Sequence, residues 1–244
     1  MKFKLKYKPF GDAALLIEWP QKISEDILND IQLFVSKIEN INHKEILELN
    51  YVYNSLLVIY NNKNTQFTPL KIHLQNLYKK SFPTIQKVEN VLWKIPVCYD
   101  REFGIDLPIL SQEKNISIDE IISMHSGTIY TIYGIGFLPG FLYLGGLPES
   151  LHFPRKETPR LNVPKGAVGI GGNQTGIYPK NSPGGWQIIG KTPISLFNVN
   201  NEMPCEFKAS DKISFKPISR DEFNSIELAE VNGNYKLNKS FIND

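Results

Sequence analysis

Gly136-Phe137-Leu138-Pro139-Gly140-Phe141-Leu142-Tyr143-Leu144-Gly145-Gly146-Leu147-Pro148 is the segment from which the architecture of this chain is best read. Glycine and proline interrupt its apolar runs every few residues, which leaves room only for short strands between tight turns. The same texture extends to either side, from Gly127 to Pro193, a span that holds 14 of the 17 glycines and 8 of the 16 prolines. Short β-rich runs punctuated by turns predict a mainly-β barrel or sandwich with long, shaped loops. Upstream the pattern turns helical. Ile105 to Gln112 is a short candidate, and Ser117 with Glu120 three residues on forms a capping box for a helix ending near His125, stopped by Gly127.

Further toward the N-terminus, Phe3, Leu5 and Tyr7 alternate with lysines, and Ala13 to Trp19 is a second extended run. Two strands are therefore predicted, followed by a helix with Ser24 as its cap and Ile27, Ile31, Phe34, Val35 and Ile38 on one face. Ile46 to Leu49 and Leu56 to Tyr60 read as strands, Thr68 with Pro69 opens a second helix carrying Leu70, His73, Leu74, Leu77 and Tyr78, and Val88 to Val97 reads as a strand. That order predicts a ferredoxin-like α+β domain at residues 1–92. The mainly-β domain then spans 93–225. Residues 226–244 are polar and Asn-rich and are expected to form a frayed tail, after at most a short helix at Asp221 to Leu228.

Composition excludes several functions. With 27 Lys+Arg against 25 Asp+Glu, the net charge of +2 supplies no field for nucleic acid. Apolar runs such as Leu56 to Tyr60 fall far short of the roughly 20 residues a membrane span needs. The N-terminus lacks the apolar stretch of a signal peptide and Cys98 and Cys205 make no disulfide framework, so the cytoplasm is the expected compartment. His43, His73, His125 and His152 show no paired ligand spacing, and no metal site is expected. Neither Gly134 to Gly140 nor Gly166 to Gly172 has the spacing of a nucleotide-binding loop. Ser182 lies outside any G-x-S-x-G elbow, so a serine hydrolase is not indicated.

The remaining chemistry lies in loops. Only four arginines occur, yet Arg155 and Arg160 flank Lys156 inside a loop framed by Pro154 and Pro164. Such a cluster either clamps a carboxylate or phosphoryl group or pairs locally on a solvated loop. Gly169 to Gly172, followed by Asn173, Gln174 and Thr175, is either a close backbone approach to a ligand or a bulged strand and turn. Phe137, Pro139 and Phe141 build a pocket wall or a core plug. Pro183-Gly184-Gly185-Trp186 presents an indole as a ligand contact or a packed lid. His125 is a cation at a helix C-terminus, a satisfied core residue or a general acid/base.

Taken together, Glu102-Phe103-Gly104 with Asp106-Leu107, His125-Ser126, the segment from Gly136 to Pro148, Pro154 to Arg160, Val163-Pro164, Gln174 to Pro179 and Ser182 to Pro193 closely resemble the KipI-like family, also called allophanate hydrolase subunit 1 and understood as the B component of bacterial ATP-dependent 5-oxoprolinase. Gly11 to Leu16 is similar to the family's N-terminal strand, whereas Asp100-Arg101, Leu142 and Asn173 depart from the pattern. The resemblance implies an α+β domain followed by a cyclophilin-like β-barrel. It implies a non-autonomous enzyme component that opens 5-oxoproline to glutamate together with a C component (KipA-like, allophanate hydrolase subunit 2) and an A component (LamB/YcsF-like), with ATP used by the assembled complex and no cofactor bound by this chain alone. Phosphorylating the lactam oxygen would turn a poor electrophile into a reactive one, a task for Arg155, Lys156 and Arg160. Gln174 would bond a lactam or carboxylate and His125 or Tyr178 would move a proton. Phe137, Pro139, Lys156, Gly171, Gly172, Ser182, Gly184 and Trp186 would line the substrate. The family also implies a different role, inhibition of a sensor histidine kinase. Prolyl isomerisation would rest on fold analogy alone, and allophanate hydrolysis would need a nucleophile that the sequence does not show.

Overall fold

Leu15 and Ile17 on one strand, and Leu56, Val58 and Tyr60 on another, are buried between half-buried neighbours. A period of two is what a strand with one face on a core requires. The computed structural model describes residues 2–81 and 90–242, and the chain divides into two units, Met1–Val88 and Glu89–Asp244.

In the first unit, β1 (Lys6–Phe10), β2 (Ala14–Glu18), α1 (Glu25–Asn40), β3 (Ile46–Val52), β4 (Ser55–Tyr60) and α2 (Phe67–Lys79) follow one another. The sheet has the order β1-β2-β4-β3 and is antiparallel throughout. Ile27, Ile31, Phe34 and Ile38 of α1 and Leu70, Leu74 and Leu77 of α2 supply the other side of its core, each set recurring at helical spacing. His73, expected on that apolar face, is exposed instead. The ferredoxin-like order is not the one formed. β1 takes the edge position beside β2 that the strand after α2 was expected to fill, and that later strand belongs to the second unit. Of that predicted strand, residues 88 and 89 lie outside the described residues.

The second unit runs β5 (Asn90–Val97), α3 (Leu107–Lys114), α4 (Ile118–Ser126), β6 (Ile129–Ile135), β7 (Leu142–Gly145), β8 (Arg160–Val163), β9 (Ala167–Gly171), β10 (Gln174–Ile177), β11 (Ser182–Gly184), β12 (Gln187–Lys191), β13 (Lys212–Pro217), α5 (Arg220–Val231) and β14 (Asn238–Ile242). Eight strands form one sheet in the order β12-β9-β10-β7-β6-β13-β5-β14, and β8 pairs separately with β11. β5 lies parallel to β13 and antiparallel to β14. Just past β5, Cys98 and Lys191 exchange backbone hydrogen bonds of 2.8 and 2.9 Å, so the β12 edge meets the end of β5 and the sheet curls back on itself. Trp93, Ile95 and Val97 of β5 are buried in this unit's main core with Tyr130, Ile132, Leu144, Val168, Ile170, Ile177 and Phe215. Burial between two hydrogen-bonded neighbours is why β5 goes here rather than to the first sheet.

The capping box at α4 forms as the sequence indicates: the Glu120 N–H donates to Ser117 Oγ at 3.2 Å and Ser117 N–H donates to the Glu120 carboxylate at 2.9 Å. A second box, Ser219 with Glu222, starts α5. Residues 226–244, expected to fray, instead continue α5 to Val231 and then form β14, an edge strand on β5; residues 243 and 244 lie outside the described residues. A polar composition misleads here because an edge strand needs only one partner and exposes much of its side-chain surface. Among the described residues no helix is long and apolar enough to cross a membrane.

Candidate functional site

A second apolar cluster, separate from the main core, is made by Ala167 of β9 and Ile188 of β12 with Phe141, Val163, Tyr178 and Trp186 from the flanking loops and β8. At its centre the Trp186 indole lies across Gly171 and Gly176, where an added Cβ would strike the ring at either position. Gly169 and Gly176 are register partners, as are Gly171 and Gln174, so three glycines on two adjacent strands leave a bare seat for one large ring. That close approach is the physical reason for the glycine-rich sequence here. Phe141 meets Trp186 edge-on at 5.6 Å and Tyr178 at 5.5 Å, and Tyr143 packs on Phe141 at 4.9 Å. Phe137, at φ +65° and 68% exposed, holds its ring against Phe141 at the rim. A bulky residue in that backbone region is uncommon and recurs at functional loops.

The cationic loop closes over this cluster. Arg155 sits 5.7 Å above the Trp186 ring, within cation–π range, and among the described residues no carboxylate pairs with it. Lys156 N–H donates to Gly185 O at 2.6 Å, tying the loop to the Pro183–Trp186 turn. Arg160 and Lys156 both reach Asp106: Arg160 Nη2 donates to Oδ1 at 2.6 Å and Lys156 Nζ lies 3.6 Å from the same oxygen. The other carboxylate oxygen accepts from Ile188 N–H at 2.6 Å, and Asp106 N–H returns a bond to Ile188 O. One buried carboxylate therefore pins the loop to β12 and the start of α3.

Asp106→Ala removes the partner of two cations. Breaking a buried pair costs about 3–5 kcal/mol, but Arg160 and Lys156 keep 25% and 26% of their side-chain exposure and can rehydrate, so a loss of about 2 kcal/mol is expected. An unchanged urea midpoint would contradict this accounting.

The structure brings together Arg155, Lys156, Arg160, Trp186, Tyr178, Gly184 and Gly171, with Phe137 and Pro139 on the neighbouring loop. Gly184 abuts the Tyr178 hydroxyl so closely that a Cβ would collide with it. Burial pushes the Tyr178 phenol up, against the lowering effect of the Trp186 backbone and of Arg155 and Arg160, so it stays protonated as a hydrogen-bond donor at neutral pH. Gln174 stands on the same face as Gly171, and its Oε1 is buried without a partner, as are Ser182 Oγ and Gln187 Oε1. Gly172, at φ +65°, exchanges backbone bonds with Phe153 rather than lining the indole.

His125 is elsewhere. It has no solvent exposure, stacks on Phe215 at 4.6 Å and belongs to the inside of the sheet. Thr175 Oγ1 donates to Gly169 O at 3.0 Å, so it accepts from His125 Nε2–H at 2.9 Å, which leaves Nδ1 to accept from the Tyr99 hydroxyl at 2.8 Å. Burial lowers its pKa to about 3. The expected proton-moving role is thus corrected to that of a neutral, fully bonded core histidine. Asp106 was absent from the sequence-derived site, although it stands in the Phe103 to Leu107 motif. An Asp before Leu-Pro reads as a helix cap, and it does occupy that position at α3, but its side chain makes no cap bond. A loop with two of the chain's four arginines was the available signal that a buried carboxylate was needed.

Among the described residues no group of three or more His, Cys, Asp or Glu is placed to hold a metal ion. Hollows of about 390 Å³ between residues 191–195 and α5, and of about 460 Å³ beside Phe3, Tyr7 and Tyr78 in the first unit, contain none of the predicted site residues.

With the fold and this site in view, the chain belongs to the family of the carboxyltransferase domain, subdomain C and D, whose model matches residues 5–207. Within it the chain falls with proteins named as the B component of 5-oxoprolinase. It is 32% identical to that of Bacillus subtilis over 239 residues, covering 92% of this chain and 98% of the relative, and 39% identical to that of Haemophilus influenzae over 207 residues, covering 85% and 95%. The Kluyveromyces lactis urea amidolyase structure superposes with a TM-score of 0.83 at 19% identity over 98% of this chain, which is 16% of that protein, and shares the fold.

Proposed function

We propose that this chain is the B component of a cytoplasmic, ATP-dependent 5-oxoprolinase that opens 5-oxoproline to glutamate together with the A and C components, and that its second unit is the cyclophilin-like module of that assembly. The observation that carries the reading is Arg155, an exposed guanidinium without a carboxylate partner among the described residues, seated on the Trp186 ring. An anion receptor resting on an aromatic ring suits a small carboxylated lactam. In this reading Trp186, Phe141 and Tyr143 exclude water, Arg155 orients the substrate, and Asp106 keeps Lys156 and Arg160 beside it as fixed positive charge. The Tyr178 hydroxyl is a donor for a developing oxyanion.

Glutamate release from 5-oxoproline and ATP tests this directly, with the chain alone, the two partner components without it, and all three together. Activity is expected only in the complete mixture, and Arg155→Ala is expected to lower kcat/KM there by about 10- to 100-fold, the range for losing one charged hydrogen bond. Full activity of the partners without this chain would remove the reading.

A further inference from the structure

We infer that the first unit holds a binding site of its own, for a small aromatic monocarboxylate, in the hollow between the residues that lead into β1 and the C-terminal half of α2. The inference does not depend on the 5-oxoprolinase reading. Phe3, Leu5 and Tyr7 build one wall: they are half-buried against the first unit's core, while Lys2 and Lys4 beside them are exposed. Gln75, Tyr78 and Lys79, spaced three and four residues apart and therefore on one face of α2, build the other. The space left between the walls is about 460 Å³, the size of a small-molecule pocket.

Charge selects an anion. Lys2, Lys4 and Lys79 border the hollow and no acidic side chain does. Lys2 is neutralised by Asp26 at 2.8 Å, whereas Lys4 and Lys79 are exposed and have no carboxylate partner among the described residues. On the core side of the hollow, Asp30 accepts from the Tyr78 hydroxyl at 2.6 Å and from the Trp19 indole at 2.8 Å. Two free cations against that one carboxylate leave a single positive charge in excess, the complement of a monoanion. Lys79 also stands in the last turn of α2, where the partial negative charge of a helix end would otherwise repel such a ligand.

The rings and the unused hydrogen bonds select its shape. Phe3, Tyr7 and Tyr78 present aromatic surface, and ring pairs gain more than their buried area alone, which favours a flat ring over a flexible chain. Tyr78 spends its hydroxyl on Asp30, but the Tyr7 hydroxyl and the Gln75 amide have no partner among the described residues. Burial pushes the Tyr7 phenol up, so it remains a donor for a carboxylate oxygen. An apolar, ring-lined hollow with two hydrogen-bonding groups and one net positive charge at its mouth describes an aromatic acid.

The test is calorimetric titration of the full chain with 1-naphthoate, its neutral isostere 1-naphthylmethanol, and the aliphatic acid decanoate. One-to-one binding of naphthoate is expected, with the alcohol and decanoate each weaker by about 10-fold. Replacing both free lysines, Lys4→Gln with Lys79→Gln, is expected to weaken naphthoate by about 10-fold, a loss kept small by their exposure, and to leave the alcohol unchanged. Tyr7→Phe, which keeps the ring, is expected to cost about 5-fold. Lys44→Gln, an exposed lysine outside the hollow, and Arg155→Ala in the second unit are expected to bind naphthoate as the wild type does. Absence of binding overturns the inference, as does undiminished binding by the double lysine variant, or alcohol bound as tightly as acid. Loss of binding in Arg155→Ala would place the aromatic acid in the second unit and overturn it too, and decanoate equal to naphthoate would refute the ring-selective pocket. Glutamate release by the three-component mixture decides the function separately, whichever way these titrations fall.

Discussion

Below pH 6.5 the wild-type protein loses about 1.4 kcal/mol of unfolding free energy per pH unit through His125 alone, approaching about 5 kcal/mol by pH 3. The sign follows from where the proton binds. In the unfolded chain the imidazole titrates at its ordinary value near 6.5, whereas in the fold burial lowers it to about 3. Between those values only the unfolded state takes the proton, so acid favours unfolding, and the stabilisation is fully present above pH 6.5. Protonation in place would also put an N–H at Nδ1 facing the Tyr99 hydroxyl, which would have to turn from donor to acceptor and give up the partner of its own proton. His125→Gln lowers stability at pH 7 by losing the ring stacking on Phe215, but its stability falls less steeply in acid. Urea unfolding of both proteins at pH 7, 6, 5 and 4 measures the difference; parallel pH profiles would refute a neutral core histidine.

Trp186→Ala is the second large effect, with an expected loss of about 3–5 kcal/mol. The indole is only 4% exposed and is touched by Phe141 and Tyr178 on one side and by two bare strand positions on the other. None of those backbones can collapse into the vacated space, because they are held in the β9, β10 and β12 ladder. The converse variant, Gly171→Ala, keeps the indole but pushes it from its seat, an overpacking effect of about 1–3 kcal/mol. Both are read by thermal and urea midpoints. In both, Arg155 loses its fixed platform, so binding of 5-oxoproline is expected to weaken even where the protein remains folded. A Trp186→Ala protein with wild-type stability would mean the second apolar cluster is not a packed core.

What could be read from sequence divides along the range of the interaction. The α4 capping box is a contact between residues three apart, and it formed with the bonds expected. The helices of the first unit followed from spacing within single turns. The partner of β5 did not, because strand composition says that a segment wants neighbours without saying which; its parallel partner β13 lies more than a hundred residues downstream. β14 was hidden for the same reason. In the candidate site, Arg155, Arg160 and Trp186 were conspicuous as rare residues in a turn-rich block, with Lys156 between the two arginines. Asp106 was not, since its meaning lies in a contact across 54 residues with Arg160. His125 looked functional because its residue type is versatile, and only its complete enclosure shows otherwise.

Asn90 and Ile242 stand directly opposite each other where β5 and β14 pair, so the first and last strands of the second unit lie side by side with these two residues together. A fold arranged this way is a cassette. It can be spliced into a longer polypeptide, or cut in an exposed turn and rejoined through Ile242 and Asn90, while every strand of the curled sheet keeps its neighbours. A circular permutant of the second unit joined from Ile242 to Asn90 would put that portability to use at the bench.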